Sequence, residues 1–390
     1  MLLPYSKRRI KSKFNLCINA NESLISLGYF KEINLNNYRN FENFFLEFKN
    51  GCNIILGNNG SGKTNILESL SLLEKGRGFR KEKIENLINF KNKHKDFKIL
   101  SLFNNENINF NISAFSLNQN KKKISVNDNF DLTSIKHFES LFSIIYFLPE
   151  MERLFVSSPS FRRNFLDRLI FNFNKNYNTV VNKYKKAITE RQLLLKDSQY
   201  DESWIQNIEN NIVEYGSAIY KNREDHIKVL NKILKTINAP RHFSKDFVLK
   251  IQDNFYETNK AIYDNKDVYA SQLNFNRKKD FFKGGCSIGP HRSDIVGLNE
   301  LNNFNLNQLS TGQQKTVVLL IILAQSEYLI NELNLHPIIL LDEICSHLDD
   351  SNRELLLYLT NQLKVQVFMT GTEKNFFSFL STKAHYCNIT

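Results

Sequence analysis

The stretch GNNGSGKT at 57–64 constrains this chain more than any other. It satisfies the pattern G-x-x-x-x-G-K-[ST] with Gly57, Gly62, Lys63 and Thr64. Such a loop bends tightly, so that backbone N–H groups along Asn58, Asn59, Gly60, Ser61 and Gly62 face one phosphate, and glycine adopts the required torsions with little strain. Lys63 is then placed to bridge the β- and γ-phosphates of ATP, and Thr64 to ligate Mg²⁺. The surroundings fit. CNIIL (52–56) reads as a buried strand, and Ile66, Leu67, Leu70 and Leu73 share one helical face behind the loop.

A matching half stands in PIILLDEICSHLDD (337–350). An apolar strand ending in Asp342 sets a carboxylate beside the Mg²⁺, and Glu343 follows as the catalytic group that positions a water. Alone, this could be a buried strand ending in acids at a turn. Paired with a phosphate loop, it reads as the other side of one site. Lys63 and Asp342 are separated by more than half of the 390 residues, far too much for a small GTPase or compact kinase. The expected fold is therefore α/β: a head assembled from both chain ends, with something large inserted between them.

The insert reads as helical. Tyr177, Val180, Tyr184, Ile188 and Leu195 keep a near-helical spacing. Ile205, Ile208, Ile212, Tyr215 and Ile219 begin a second helix that runs on through Ile227, Leu230, Leu234 and Ile237, until Pro240 breaks it. That helix should span about 30–50 Å at ~1.5 Å per residue. The result is a helical hairpin, short beside the hundreds of heptad residues in the arms of a chromosome-organising SMC protein.

A second phosphate device, LSTGQQKT (309–316), opens a long apolar helix. It differs by one residue from the LSGGQ signature of ABC-type ATPases. There, Ser310, Gly312 and Gln313 would offer N–H groups and the helix dipole to a γ-phosphate. In that fold a signature cannot reach its own subunit's ATP and completes a partner's site. Two devices thus predict an ATP-dependent homodimer. SHLD (346–349) resembles the loop that couples the two sites across such an interface.

Charge bears on the partner. Lys and Arg number 52 against 40 Asp and Glu, a net +12. Each basic cluster (7–13, 77–83, 121–123, 183–186, 277–283) reads singly as a solvated face. Their sum favours a polyanion, of which nucleic acid is the usual one. No stretch approaches the roughly 20 apolar residues that cross a bilayer. The scattered cysteines point to a reducing, cytoplasmic setting without a zinc site. An ABC-headed nuclease subunit would need a further acidic metal cluster, for which the tail after MTGT (369–372) leaves no room.

Together with the loops above, NYRNFENFFLEF (37–48), GRGFR (76–80), FLPEMERLFVSSPSFRRNFLD (147–167), KYKKAITERQLLLK (183–196), IGPHRSD (288–294) and VFMTGT (367–372) make the chain resemble the RecF family of bacterial DNA replication and repair proteins. The resemblance runs from about 27 to 375. It implies an ABC-type head with an α-helical arm, dimerisation on ATP, slow DNA-stimulated ATP hydrolysis without DNA cleavage, and a place in the DNA-damage (SOS) response. It also implies binding at single-stranded/double-stranded DNA junctions and gaps, and helping RecO and RecR load RecA.

Residue by residue, it implies that Arg39 contacts the nucleotide and that PEMERL (149–154) senses the γ-phosphate. Arg162 and Arg163 become arm-to-head bonds, while His291 and Arg292 lie near the head, bracing it or touching DNA. Glu343 departs from the family, which often has a second Asp there. The domains expected are a basic extension (1–26, without ordered structure), head (27–125), helical arm (126–284) and head (285–390).

Overall fold

The computed structural model describes residues 28–106, 108–197, 201–237, 246–259, 265–345, 350–380 and 384–389. The basic extension and the SHLD loop lie outside the described residues. The strands are β1 (Tyr29–Tyr38), β2 (Phe41–Glu47), β3 (Cys52–Leu56), β4 (Lys98–Asn105), β5 (Ile108–Leu117), β6 (Lys121–Val126), β7 (Phe142–Phe147), β8 (Phe247–Gln252), β9 (Asp294–Asn299), β10 (His336–Leu341), β11 (Val367–Gly371) and β12 (His385–Asn388). The helices are α1 (Lys63–Leu72), α2 (Ile84–Leu87), α3 (Leu132–Glu139), α4 (Pro159–Phe173), α5 (Tyr177–Lys196), α6 (Glu202–Thr236), α7 (Asn254–Thr258), α8 (Lys266–Phe275), α9 (Arg277–Lys283), α10 (Thr311–Asn331) and α11 (Asp350–Asn361).

Strands buried on both faces need cover from both sides and pair in parallel, and the apolar runs behave so. CNIIL, FSIIYF, HPIILL and VFMTG join β12 in one parallel sheet of order β12-β3-β11-β10-β7. Its register sets Ile54 beside Met369 and Leu341 beside Phe147. The two chain ends therefore meet inside one sheet, and β11 separates the strand before the phosphate loop from the strand before Asp342. A second sheet, β2-β1-β4-β5-β6, is antiparallel, and β4 alternates buried and accessible positions as a one-faced sheet should.

The hairpin of α5 and α6 is present, and α6, with 35 residues, extends about 52 Å. Its root is fastened midway along. Arg223 donates from Nε and Nη2 to Asp167 of α4 at 2.8 Å each, and from Nη1 to the carbonyl of Pro290 at 2.6 Å.

One boundary needs correction. The segment read as the helical arm, 126–284, contributes β7 to the central parallel sheet, so the head continues well past 126. FSIIYF is wholly buried and lacks the alternation that marks a strand in isolation. The far end of that segment also supplies β8, which pairs with β9 of the C-terminal part.

Candidate nucleotide site

The site gathers at the ends of β3, β10 and β11, where an open parallel sheet places its ligands. Gly62 stands at φ 105°, and a Cβ there would come within 2.6 Å of the Phe41 ring and 2.7 Å of the Asn40 side-chain amide. Only glycine fits. Asn40 bonds the loop on both sides, donating to the Ser61 carbonyl at 3.0 Å and accepting from Asn65 at 2.8 Å. The Gly57 amide donates to Gly371 at 3.2 Å, and Ser61 closes a turn onto Asn58. Among the described residues the amides of Gly60, Gly62, Lys63 and Thr64 have no carbonyl partner. They are the unpaired donors of a helix N-terminus, to which an anion binds.

Lys63 folds over the loop, donating from Nζ to the carbonyls of Gly57 at 2.7 Å and Asn58 at 2.9 Å. Burial lowers its pKa, and the carboxylates of Glu343 and Asp342 oppose that shift. Asp342 is buried, and its Oδ1 accepts from Thr64 Oγ1 at 3.1 Å and from Thr370 Oγ1 at 2.7 Å. The Thr370 hydroxyl in turn accepts from the Glu343 amide at 2.8 Å. Glu343 sits at φ 49°, in the left-handed region that non-glycine residues enter rarely, with its side chain exposed. Thr370 thus orients both acids. The sequence reading did not single it out, although its hydroxyl side chain closes the strand VFMT beside the acidic turn.

Thr64 and Asp342 present two hard oxygen donors side by side, which suits Mg²⁺, an ion that keeps several waters and takes further ligands from phosphate. Among the described residues no group of three or more His, Cys, Asp or Glu side chains could hold a metal alone. A Mg²⁺ here needs the nucleotide.

Arg39 is held by Glu68, a fully buried residue of α1. Nε donates to Oε2 at 2.8 Å and Nη2 to Oε1 at 2.7 Å, while Nη1 reaches the Asn86 carbonyl at 2.9 Å. Tyr38 and Arg80 converge on the same carboxylate. In this arrangement Arg39 braces the phosphate-loop helix.

The signature opens α10. Ser310 is the N-cap, accepting from the Gln313 amide at 3.3 Å, while the Gln313 side chain accepts from the Ser310 amide at 3.0 Å. This reciprocal capping box fixes the helix start, and Ser310, Thr311, Gly312 and Gln313 are all solvent-exposed. Lys315 pairs with Glu152 of the PEMERL segment at 2.6 Å, which ties the proposed sensor to the signature helix.

Arg162 makes a two-pronged pair with Asp294, at 2.8 and 2.6 Å, and Arg163 donates to the Ser293 carbonyl at 2.6 Å. His291 bonds Tyr184 of α5 at 2.7 Å and the Cys286 carbonyl at 3.0 Å, and burial pushes its pKa down to about 4. It braces the root of the arm.

A phosphate loop and an acidic turn brought together across a parallel sheet, with a capped signature helix and a helical insert, define an ABC-type ATPase head. The family model RecF/RecN/SMC N terminal domain matches residues 29–386. The chain belongs to the RecF family. It is 32% identical to the DNA replication and repair proteins RecF of Rickettsia conorii and Rickettsia typhi, over 91% of this chain and 98% of each of them. Among solved structures it resembles the recombination mediator protein RecF with ATP, of the RecFOR pathway. The TM-score is 0.75 at 28% identity, covering 89% of this chain and 94% of the other.

Proposed function

We propose that the chain is an ATP-gated DNA-binding protein of recombinational repair and replication restart. It acts as a homodimer that closes on two nucleotides, and hydrolysis opens it. The observation that carries this is the split of the phosphate-binding parts. Thr64 and Asp342 meet at 3.1 Å as one half-site, whereas the signature presents its capped helix start to solvent, open to a second copy.

The loop amides and Lys63 bind the phosphates, Lys63 exchanging its loop carbonyls for phosphate oxygens. Arg39, three of whose five N–H donors are used, is read as reaching the nucleotide with the others. Thr64 and Asp342 would hold Mg²⁺, which would supply positive charge against the β- and γ-phosphates. Glu343, aimed by its bond to Thr370, orients the attacking water. Ser310, Gly312 and Gln313 of the partner close over the γ-phosphate and report through Lys315 to Glu152.

The net +12 charge supports DNA as the polyanion, at single-stranded/double-stranded junctions and gaps. Kinship with a protein of the RecFOR pathway supports a role beside RecO and RecR in loading RecA.

The test is the solution mass of Glu343→Gln by light scattering, with and without ATP–Mg²⁺. The expected result is monomer without nucleotide and dimer with it. Lys63→Met should abolish both ATP binding and pairing, and Ser310→Arg should keep ATP binding but lose pairing. A mass indifferent to ATP in all three proteins would refute the proposal.

A further inference from the structure

Helix α9 is amphipathic with the wrong sign. Its inward residues are Arg277 and Asp280, both buried, while Lys278, Lys279, Phe281, Phe282 and Lys283 face solvent. Phe275, at the end of α8, is 82% exposed, Phe282 84% and Phe281 47%. Fully burying one such ring is worth about 1.5–3 kcal/mol, so three left out within eight residues form a patch that calls for a partner.

The inner side explains why the rings cannot turn in. Arg191, itself buried, bonds Glu209 at 2.8 Å, Asp280 at 2.7 Å and the Leu273 carbonyl at 2.8 Å. Arg277 bonds the same Glu209 at 2.6 Å, and the Ser287 amide donates to Asp280 at 2.9 Å. Rotating α9 to bury its phenylalanines would strip partners from charges in the interior, a larger cost than the rings would recover. The aromatic face is locked outward.

The position is the far end of the hairpin. Arg277 also pairs with Glu202, the first residue of α6, about 30 Å along that helix from Arg223 at the root.

The chemistry of the face selects its occupant. The exposed part of 275–284 carries three lysines and no acid. The Phe281 and Phe282 rings lie 5.1 Å apart at 75°, so their planes differ in direction. Lysines among exposed rings suit an anion that also offers flat apolar faces. A duplex keeps its base faces stacked inside, whereas a single strand offers both phosphates and bases.

Building on the DNA-binding reading above, we propose that the outer face of α9 and the end of α8 form a stacking platform for single-stranded DNA. Bases lie on Phe275, Phe281 and Phe282, and phosphates meet Lys278, Lys279 and Lys283.

The chain carries its own reporter, since its one tryptophan, Trp204, is 58% exposed two residues beyond Glu202. The test compares the full-length protein with a Phe275→Ala/Phe281→Ala/Phe282→Ala variant, all three positions being exposed. Fluorescence anisotropy follows binding of an oligothymidylate about 15 nucleotides long and of a blunt duplex, while Trp204 emission is read in parallel. The expected result is Trp204 quenching by the oligothymidylate and a loss of at least about tenfold in its affinity in the variant, with duplex binding unchanged. Lys278→Glu/Lys279→Glu should also flatten the salt dependence of oligothymidylate binding.

Equal oligothymidylate binding by both proteins, with Trp204 emission constant, overturns the platform while upholding the DNA-binding reading, and points to an acidic protein on this face. Failure of the wild type to bind either DNA refutes the DNA-binding reading and the platform together.

Discussion

Glu74 offers the sharpest test of how the phosphate-loop helix is joined to the root of the arm. It lies just past α1, with its side chain 1% exposed between Arg168 of α4 at 2.5 Å and Lys175 at 2.7 Å. Burial alone would raise its pKa, yet Lys175 and Arg168 hold it down at about 2. A carboxylate whose folded pKa is depressed contributes stability that is present above its unfolded pKa, near 4.3, and lost as pH falls through the folded value. The fall from about 4.3 to about 2, at ~1.36 kcal/mol per pH unit, is about 3 kcal/mol near neutral pH.

Glu74→Gln should therefore destabilise the protein by about 3 kcal/mol at pH 7, in line with the roughly 3–5 kcal/mol for removing one member of a buried pair. Arg168 would keep a long bond to the Ile144 carbonyl at 3.4 Å and the rings of Tyr146 and Phe171, 5.3 and 4.9 Å from its guanidinium carbon. Urea unfolding of wild type and variant between about pH 7.5 and pH 4 measures the gap, which should narrow by about 0.6 kcal/mol at the acid end as Glu74 begins to protonate in the unfolded chain. A gap below about 1 kcal/mol, or one that does not narrow, would show that Lys175 and Arg168 do not hold the carboxylate as the geometry requires.

Thr370→Val removes a bond to the buried Asp342 and the acceptor of the Glu343 amide, so it should cost about 2–4 kcal/mol of stability. ATP turnover should fall while nucleotide affinity, measured by calorimetry, changes less; unchanged turnover would dismiss Thr370 as an orienting group. Arg191→Met leaves Glu209 and Asp280 short of a partner inside the arm and should lower stability by about 3–5 kcal/mol in thermal unfolding. A near-neutral result would show that the network is dispensable, and with it the explanation for the outward phenylalanines of α9.

What was legible in the sequence was local. GNNGSGKT needs particular torsions and a particular neighbour at each step, so loop, strand and α1 follow from adjacent residues. Ser310 and Gln313 form their capping box three residues apart, and the spacing of Ile205 through Ile237 is itself the period of α6. The elements missed were those whose pattern is ambiguous or whose partners lie far away. FSIIYF has no alternation, and the strands of 98–126 become a sheet only against β1, whose Ile33 lies opposite Ser101.

The sequence by itself determined that this chain builds a phosphate loop, an acidic strand end and a capped signature helix, because each is set by chemistry within a few bonds of backbone. Only the tertiary structure decided what these parts do to one another. It alone sets Asp342 against Thr64 through Thr370, turns Arg39 onto Glu68, and buries Arg277 and Asp280 while leaving Phe281 and Phe282 outside. Ion pairs and sheet neighbours depend on distance in space, and separation along the chain carries no record of that distance.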